Sequence, residues 1–156
     1  MTASGPPKRC GPVSLVGWTI QKVGVPLAWK LTTNSTETTS RTIKVKRGDV
    51  VILNFAGSKQ RPAVVIQNDK NNARLINTIL VQVTSNTKLA GKEPTQVLID
   101  VSTPDGQQSG LKHNSAVKCE NIATQLLSDV QRVIGRLTGP LMQQVDAALK
   151  ASLDLN

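Results

Sequence analysis

The sequence predicts a mainly β fold, a compact antiparallel barrel or sandwich covered by one C-terminal helix. Three observations predict it. Short β-rich runs follow one another between Val50 and Cys119, separated by turn signals. The runs at 50–53, 63–66 and 79–83 are almost wholly apolar, as central strands are. A helical apolar stripe comes only after Thr138, where Leu141, Val145, Ala148 and Leu149 fall at i, i+4, i+7 and i+8.

Residues 1–45 read unlike the rest. Gly5-Pro6-Pro7, Gly11-Pro12, Gly17, Gly24 and Pro26 punctuate them, and a Thr- and Ser-rich run spans 32–42. Leu15, Val16, Trp18 and Ile20 are the main apolar cluster, too little to offset the entropy of ordering the segment. A disordered leader is expected, one that need not belong to the native product, with Val45 as an alternative start. Lys8-Arg9 ahead of the apolar cluster imitates a signal peptide, but Lys22 interrupts the run and no small-residue cleavage site follows. A cytoplasmic location is therefore expected.

The body, 46–156, is read as one domain. Gly48-Asp49 leads into a strand over Val50–Phe55, and Gly57-Ser58-Lys59-Gln60 forms a turn. Arg61-Pro62 opens a second strand over Ala63–Gln67, and the polar run from Asn68 to Asn72 reads as a loop. Strands follow over Thr78–Thr84, Thr95–Val101 and Ser115–Cys119, joined by polar loops. Ser128 is placed as the cap of a short helix over Asp129–Ile134, stopped at Gly135. Thr138 caps the longer helix, with Pro140 in the tolerated first turn. Its apolar stripe reads as packing against the sheet.

Composition narrows the function. The chain has 156 residues and a net charge of +9, an excess that favours an anionic partner such as nucleic acid. Aromatics are only 2%, which argues against single-strand binding on stacked aromatic platforms. Two cysteines without CxxC or HxxxH spacing suggest neither a disulfide scaffold nor zinc, and no metal or cofactor is expected. No apolar run approaches the roughly 20 residues of a membrane span, so no membrane partner is expected.

Lys46-Arg47-Gly48-Asp49-Val50-Val51, followed by Gly57 through Asp69, resembles the opening of the MazF/PemK toxins, the endoribonucleases of type II toxin–antitoxin modules. The resemblance runs on through Thr78–Ser85, Ser109–His113 and Val117–Thr124. It closes at Ile134–Leu137 and Leu141–Asp146, covering essentially all of 46–156 and none of 1–45. It implies an SH3-like β-barrel with a C-terminal helix that forms a two-fold homodimer. It also implies metal-free cleavage of single-stranded RNA, often mRNA, at short motifs. A cognate antitoxin, MazE- or PemI-like, blocks the RNA groove, and its loss arrests growth.

The resemblance directs attention to Arg61, Thr84, Lys118 and Glu120 as catalytic residues. Metal-free RNA cleavage uses the 2′-hydroxyl as nucleophile, with a base, an acid and cations that stabilise the phosphorane. Arg61 offers bidentate donors to the scissile phosphate, and the Thr84 hydroxyl orients phosphate or nucleophile. Lys118 and Glu120 alternate along a strand and so share a face. Some relatives carry Arg and Asp at these positions as acid and base; here both are replaced by residues of the same charge. Glu120 as base needs its pKa raised toward neutrality; otherwise the two read as a cross-strand ion pair.

RNA contacts are expected from Ser58, Lys59 and Gln60 in the short loop before Arg61, and from Lys70, Lys112 and His113. The loop is shorter than in many relatives, where it folds over the RNA. His113, the single histidine, reads first as a solvated loop residue and second as a substrate contact. Cys119 points to the face opposite Lys118 and Glu120 as a buried thiol. The competing reading is an SH3-like module that has lost cleavage and binds RNA or protein, and strong salt-sensitive binding without cleavage distinguishes it.

Overall fold

The computed structural model describes residues 43–54 and 59–155. Ser58, Phe55, Cys10 and all of the expected leader before residue 43 lie outside the described residues. Among the described residues are six strands: β1 (Asp49–Asn54), β2 (Gln60–Val65), β3 (Asn77–Thr84), β4 (Gln96–Ile99), β5 (Ser115–Leu126) and β6 (Val130–Arg136). The described residues also form helices α1 (Asp69–Arg74), α2 (Pro104–Gln108) and α3 (Gly139–Leu153).

The strands form one sheet in the order β4-β5-β3-β2-β1-β6, antiparallel throughout. Period-two alternation gives it two apolar faces, which is why the central runs lack polar interruption. Val50, Val64, Val81 and Val117 lie on one face, beneath Leu141, Val145 and Ala148 of α3. Val51, Leu53, Ala63, Val65 and Leu80 lie on the other, covered by Val45, Leu127 and Val130. Val45, the last residue of the expected leader, is thus part of the core.

The expected barrel is not closed. β4 and β6 are the edges of the sheet and do not pair with each other. The connection between β4 and β5 packs against β6 instead. A Cβ added at Gly110 would lie 2.0 Å from the carbonyl oxygen of Ile134, and one at Gly135 would lie 2.4 Å from the carbonyl oxygen of Gln108. Glycine lets backbone lie on backbone where a strand pair would otherwise complete the circle.

The short helix expected over Asp129–Ile134 is strand β6, preceded by a single 3₁₀ turn at Leu127–Asp129. Val130, Val133 and Ile134 are β-branched, and the outer edge of β1 offers them a ladder that no isolated short helix could match. Two expected loops hold short helices. Asn68 caps α1 by accepting from Asn71 N at 2.9 Å, and Thr103 caps α2 by accepting from Gly106 N at 3.1 Å. Thr138 does occupy the N-cap position of α3 but makes no side-chain cap bond.

Lys46-Arg47-Gly48-Asp49 acts as a structural clamp. Gly48 takes φ +88, and Asp49 Oδ2 accepts from Lys46 N at 2.7 Å. Arg47 pairs with Asp146 of α3, donates to the Ile66 carbonyl, and through its backbone N–H reaches Asp69 Oδ1 at 2.6 Å. Arg136 of β6 donates to the Arg47 carbonyl at 2.7 Å. One tetrapeptide thus joins β1, β6, α1 and α3.

Candidate functional site

The register builds a polar region on the sheet face opposite α3. Val51, Ala63, Gln82, Lys118 and Gln96 form one row across β1, β2, β3, β5 and β4. The neighbouring row contains Leu53 paired with Arg61, and Thr84 paired with Ala116 and through it Leu98. The β2–β3 ladder ends at Ala63 and Gln82, and Arg61 and Thr84 lie two residues beyond that pair, on the same face as it. The face is apolar on the β1 side and becomes polar from Arg61 onward. Arg61, Thr84 and Lys118 therefore lie on three adjacent strands and share one face.

Glu120 joins them through a bulge. The β3–β5 ladder passes from Val81–Ile122 to Gln82–Lys118, so residues 119–121 have no partner on β3. β4 takes up the slack, with Cys119 N donating to the Thr95 carbonyl at 3.0 Å. Gln96 Nε2 donates to Glu120 Oε1 at 2.8 Å, and Lys118 Nζ lies 3.4 Å from the same oxygen. Asn121 Nδ2 reaches Gln82 Oε1 at 3.1 Å. The Lys118–Glu120 ion pair runs along one strand, at i and i+2, and not across two strands.

The electrostatics of Glu120 differ from those expected of a base. Burial alone would raise its pKa. Its own backbone N–H, the Gln96 amide and the Lys118 ammonium outweigh burial and hold the carboxyl below its ordinary value. Cys119 behaves as expected. It is fully buried on the α3 face, its Sγ lies 3.8 Å from the Val145 carbonyl, and burial, with Glu120 and Asp146 adding, pushes its thiol up to about 12. The Thr84 hydroxyl accepts from Asn86 N at 3.2 Å and keeps its own hydrogen to donate. Thr84, Asn86, Leu89, Gln96 and Lys118 line a small open pocket of about 80 Å³.

The other expected RNA contacts divide by position. Lys59 and Gln60 are exposed at the start of β2, immediately before Arg61. Lys112 and His113 are exposed in the turn that enters β5, at the end of the sheet where β3 finishes. Lys70 is exposed on α1, which joins the end of β2 to the start of β3, and so sits at the opposite end of those strands from Arg61 and Thr84. Sequence reasoning missed Gln82, Gln96 and Asn121. The alternation Gln96-Val97-Leu98-Ile99 does set Gln96 apart from two core residues, but only the register puts it beside Lys118.

A polar, charge-bearing face on a small open β-sheet backed by one helix defines a compact domain suited to an extended anionic ligand. The family of PemK-like, MazF-like toxins of type II toxin–antitoxin systems matches residues 46–153, and the chain belongs to that family. Endoribonuclease EndoA of Bacillus subtilis is 36% identical over 120 residues, covering 71% of this chain and 96% of the relative. Endoribonuclease MazF9 of Mycobacterium tuberculosis is 35% identical over 101 residues, covering 63% of this chain and 81% of the relative. A mycobacterial endoribonuclease solved with its cognate antitoxin has the same fold, with a TM-score of 0.61 at 22% identity, over 72% of this chain and 97% of that one. MazF in the MazE–MazF complex of Deinococcus radiodurans aligns at a TM-score of 0.59 and 19% identity, over 73% and 100%. Among the described residues no helix is long and apolar enough to cross a membrane.

Proposed function

We propose that this endoribonuclease toxin cleaves single-stranded RNA through the substrate's own 2′-hydroxyl, on the face shared by Arg61, Thr84, Lys118 and Glu120. The observation that carries the reading is that shared face, reached from three adjacent strands and one bulge. The 2′-oxygen attacks phosphorus and the 5′-oxygen departs, leaving a cyclic phosphate and a 5′-hydroxyl. The carboxylate of Glu120, ionised and therefore free of a proton, accepts from the 2′-hydroxyl, and Lys118 supplies a proton toward the leaving oxygen. Arg61 steadies the charge on the phosphorane, and Thr84 donates to a phosphate oxygen. Residues 46–156 constitute the toxin domain. Lys59, Gln60, Lys112 and His113 contact the strand around the scissile bond. DNA lacks the nucleophile and is spared.

The working protein is a homodimer in the cytoplasm, where mRNA is the substrate. A cognate antitoxin of the MazE or PemI kind inhibits it, as a flexible acidic segment that orders on the basic face. Incubation with a long single-stranded RNA in EDTA tests the reading. Discrete fragments that disappear with Arg61→Ala are expected; an intact transcript from antitoxin-free protein overturns it.

The lowered pKa of Glu120 and its pairing with Lys118 favour a second reading, a barrel-like module that binds RNA without cutting it. Tight, salt-sensitive binding in the same assay with no fragments selects it.

A further inference from the structure

We infer that Gln96 is a positioning residue for RNA cleavage, holding the Glu120 carboxylate in place from the neighbouring strand β4. The inference rests on the proposed cleavage role of Glu120. Its basis is the bulge. Residues 119–121 face no partner on β3, so the ladder that normally fixes a strand residue is missing where Glu120 sits. β4 replaces it at two points. The Thr95 carbonyl accepts from Cys119 N at 3.0 Å, which fixes the backbone, and the Gln96 amide donates to Glu120 Oε1 at 2.8 Å, which fixes the side chain.

Gln96 is suited to this work. It is 9% exposed, so its amide is held in one conformation and loses little further freedom on holding a partner. Lys118 reaches the same oxygen, Oε1, at the longer distance of 3.4 Å and on a more flexible stem. Both side-chain donors, Gln96 and Lys118, converge on Oε1, which fixes the orientation of the carboxylate toward the substrate hydroxyl. A fixed acceptor of this kind needs no rearrangement when RNA arrives.

Among the described residues Glu120 makes one ion pair. Lys118 is its ion-pair partner, and the Cys119 thiol beside it stays neutral. On the same face β3 presents Gln82 and Thr84, and β4 presents Gln96, none of which ionises. Arg61 stands on β2, beyond β3. Removing the Gln96 amide therefore takes away one of the contacts that favour the ionised carboxylate and leaves Lys118, on its more flexible stem, as the side-chain partner.

The test uses the full chain and two measurements, the carboxyl titration of Glu120 by NMR and the pH dependence of RNA cleavage. Gln96→Met keeps the side-chain length and removes the donor. Gln96→Asn keeps an amide that falls one methylene short, and serves if Gln96→Met does not fold. In either variant the Glu120 midpoint is expected to rise, and the acid limb of the cleavage profile to move with it to higher pH. An unmoved midpoint overturns the inference. A moved midpoint with an unmoved acid limb overturns it too, because Gln96 then supports only an ion pair. If the unaltered chain leaves RNA intact, the proposed cleavage fails and this role fails with it, while the NMR titration separately reports whether the Gln96 contact exists.

Discussion

Glu120 is ionised because three donors surround its carboxylate, and that fact sets its pH behaviour. A folded pKa below the unfolded value means the ionised form contributes stability above the unfolded value, lost as pH falls through the folded one. The side chain is about one-third exposed, so this contribution is well under 1 kcal/mol. Glu120→Gln should therefore barely change thermal stability at neutral pH, and not at all below the folded value, as a melting series across pH will show. Its effect on cleavage should be larger. A weakly basic carboxylate lies at the low end of general-base effects, and a loss of roughly 10²-fold is expected in single-turnover cleavage. Arg61→Ala should abolish cleavage and leave the far-UV spectrum and melting temperature unchanged, since its guanidinium is exposed.

At the scale of elements, the closing contact is the sensitive point. Gly135→Ala puts a methyl group 2.4 Å from backbone atoms at Gln108 and Ser109, and should cost about 2 kcal/mol or more in a denaturant titration. Gly139→Ala, whose Cβ meets open space, should be neutral or mildly stabilising in the same titration. The helix over the sheet was legible in the sequence because Leu141, Val145 and Ala148 repeat with helical period and all three are buried. β6 was not legible. Val130 to Arg136 carries no clean alternation, and its strand state depends on the edge of β1, some eighty positions away in the chain. The bulge in β5 was hidden for a related reason. Val117, Lys118, Cys119 and Glu120 alternate as an ordinary strand does, and only the partner strand reveals that three residues go unmatched.

For the whole molecule, the family resemblance was legible across 46–156, and among the described residues apolar packing continues just ahead of it. Val45 is 5% exposed within the second apolar layer, and Ile43 packs against it. A chain beginning at residue 43 should keep its melting temperature and cleavage. One beginning at residue 47 loses Val45 and should melt lower, a difference that calorimetry will measure. The arrangement of the proposed site was not legible in the sequence, because Arg61, Thr84 and Lys118 come onto adjacent strands of one face only when β2, β3 and β5 align. The strand order also governs the time course of synthesis. β1 is made first and β6 last among the strands, yet they are partners. A nascent chain can therefore pair β1 with β2 while the opposite rim of β1 stays unpaired until Arg136 has left the ribosome. Completion of the sheet is deferred to the last stretch of translation.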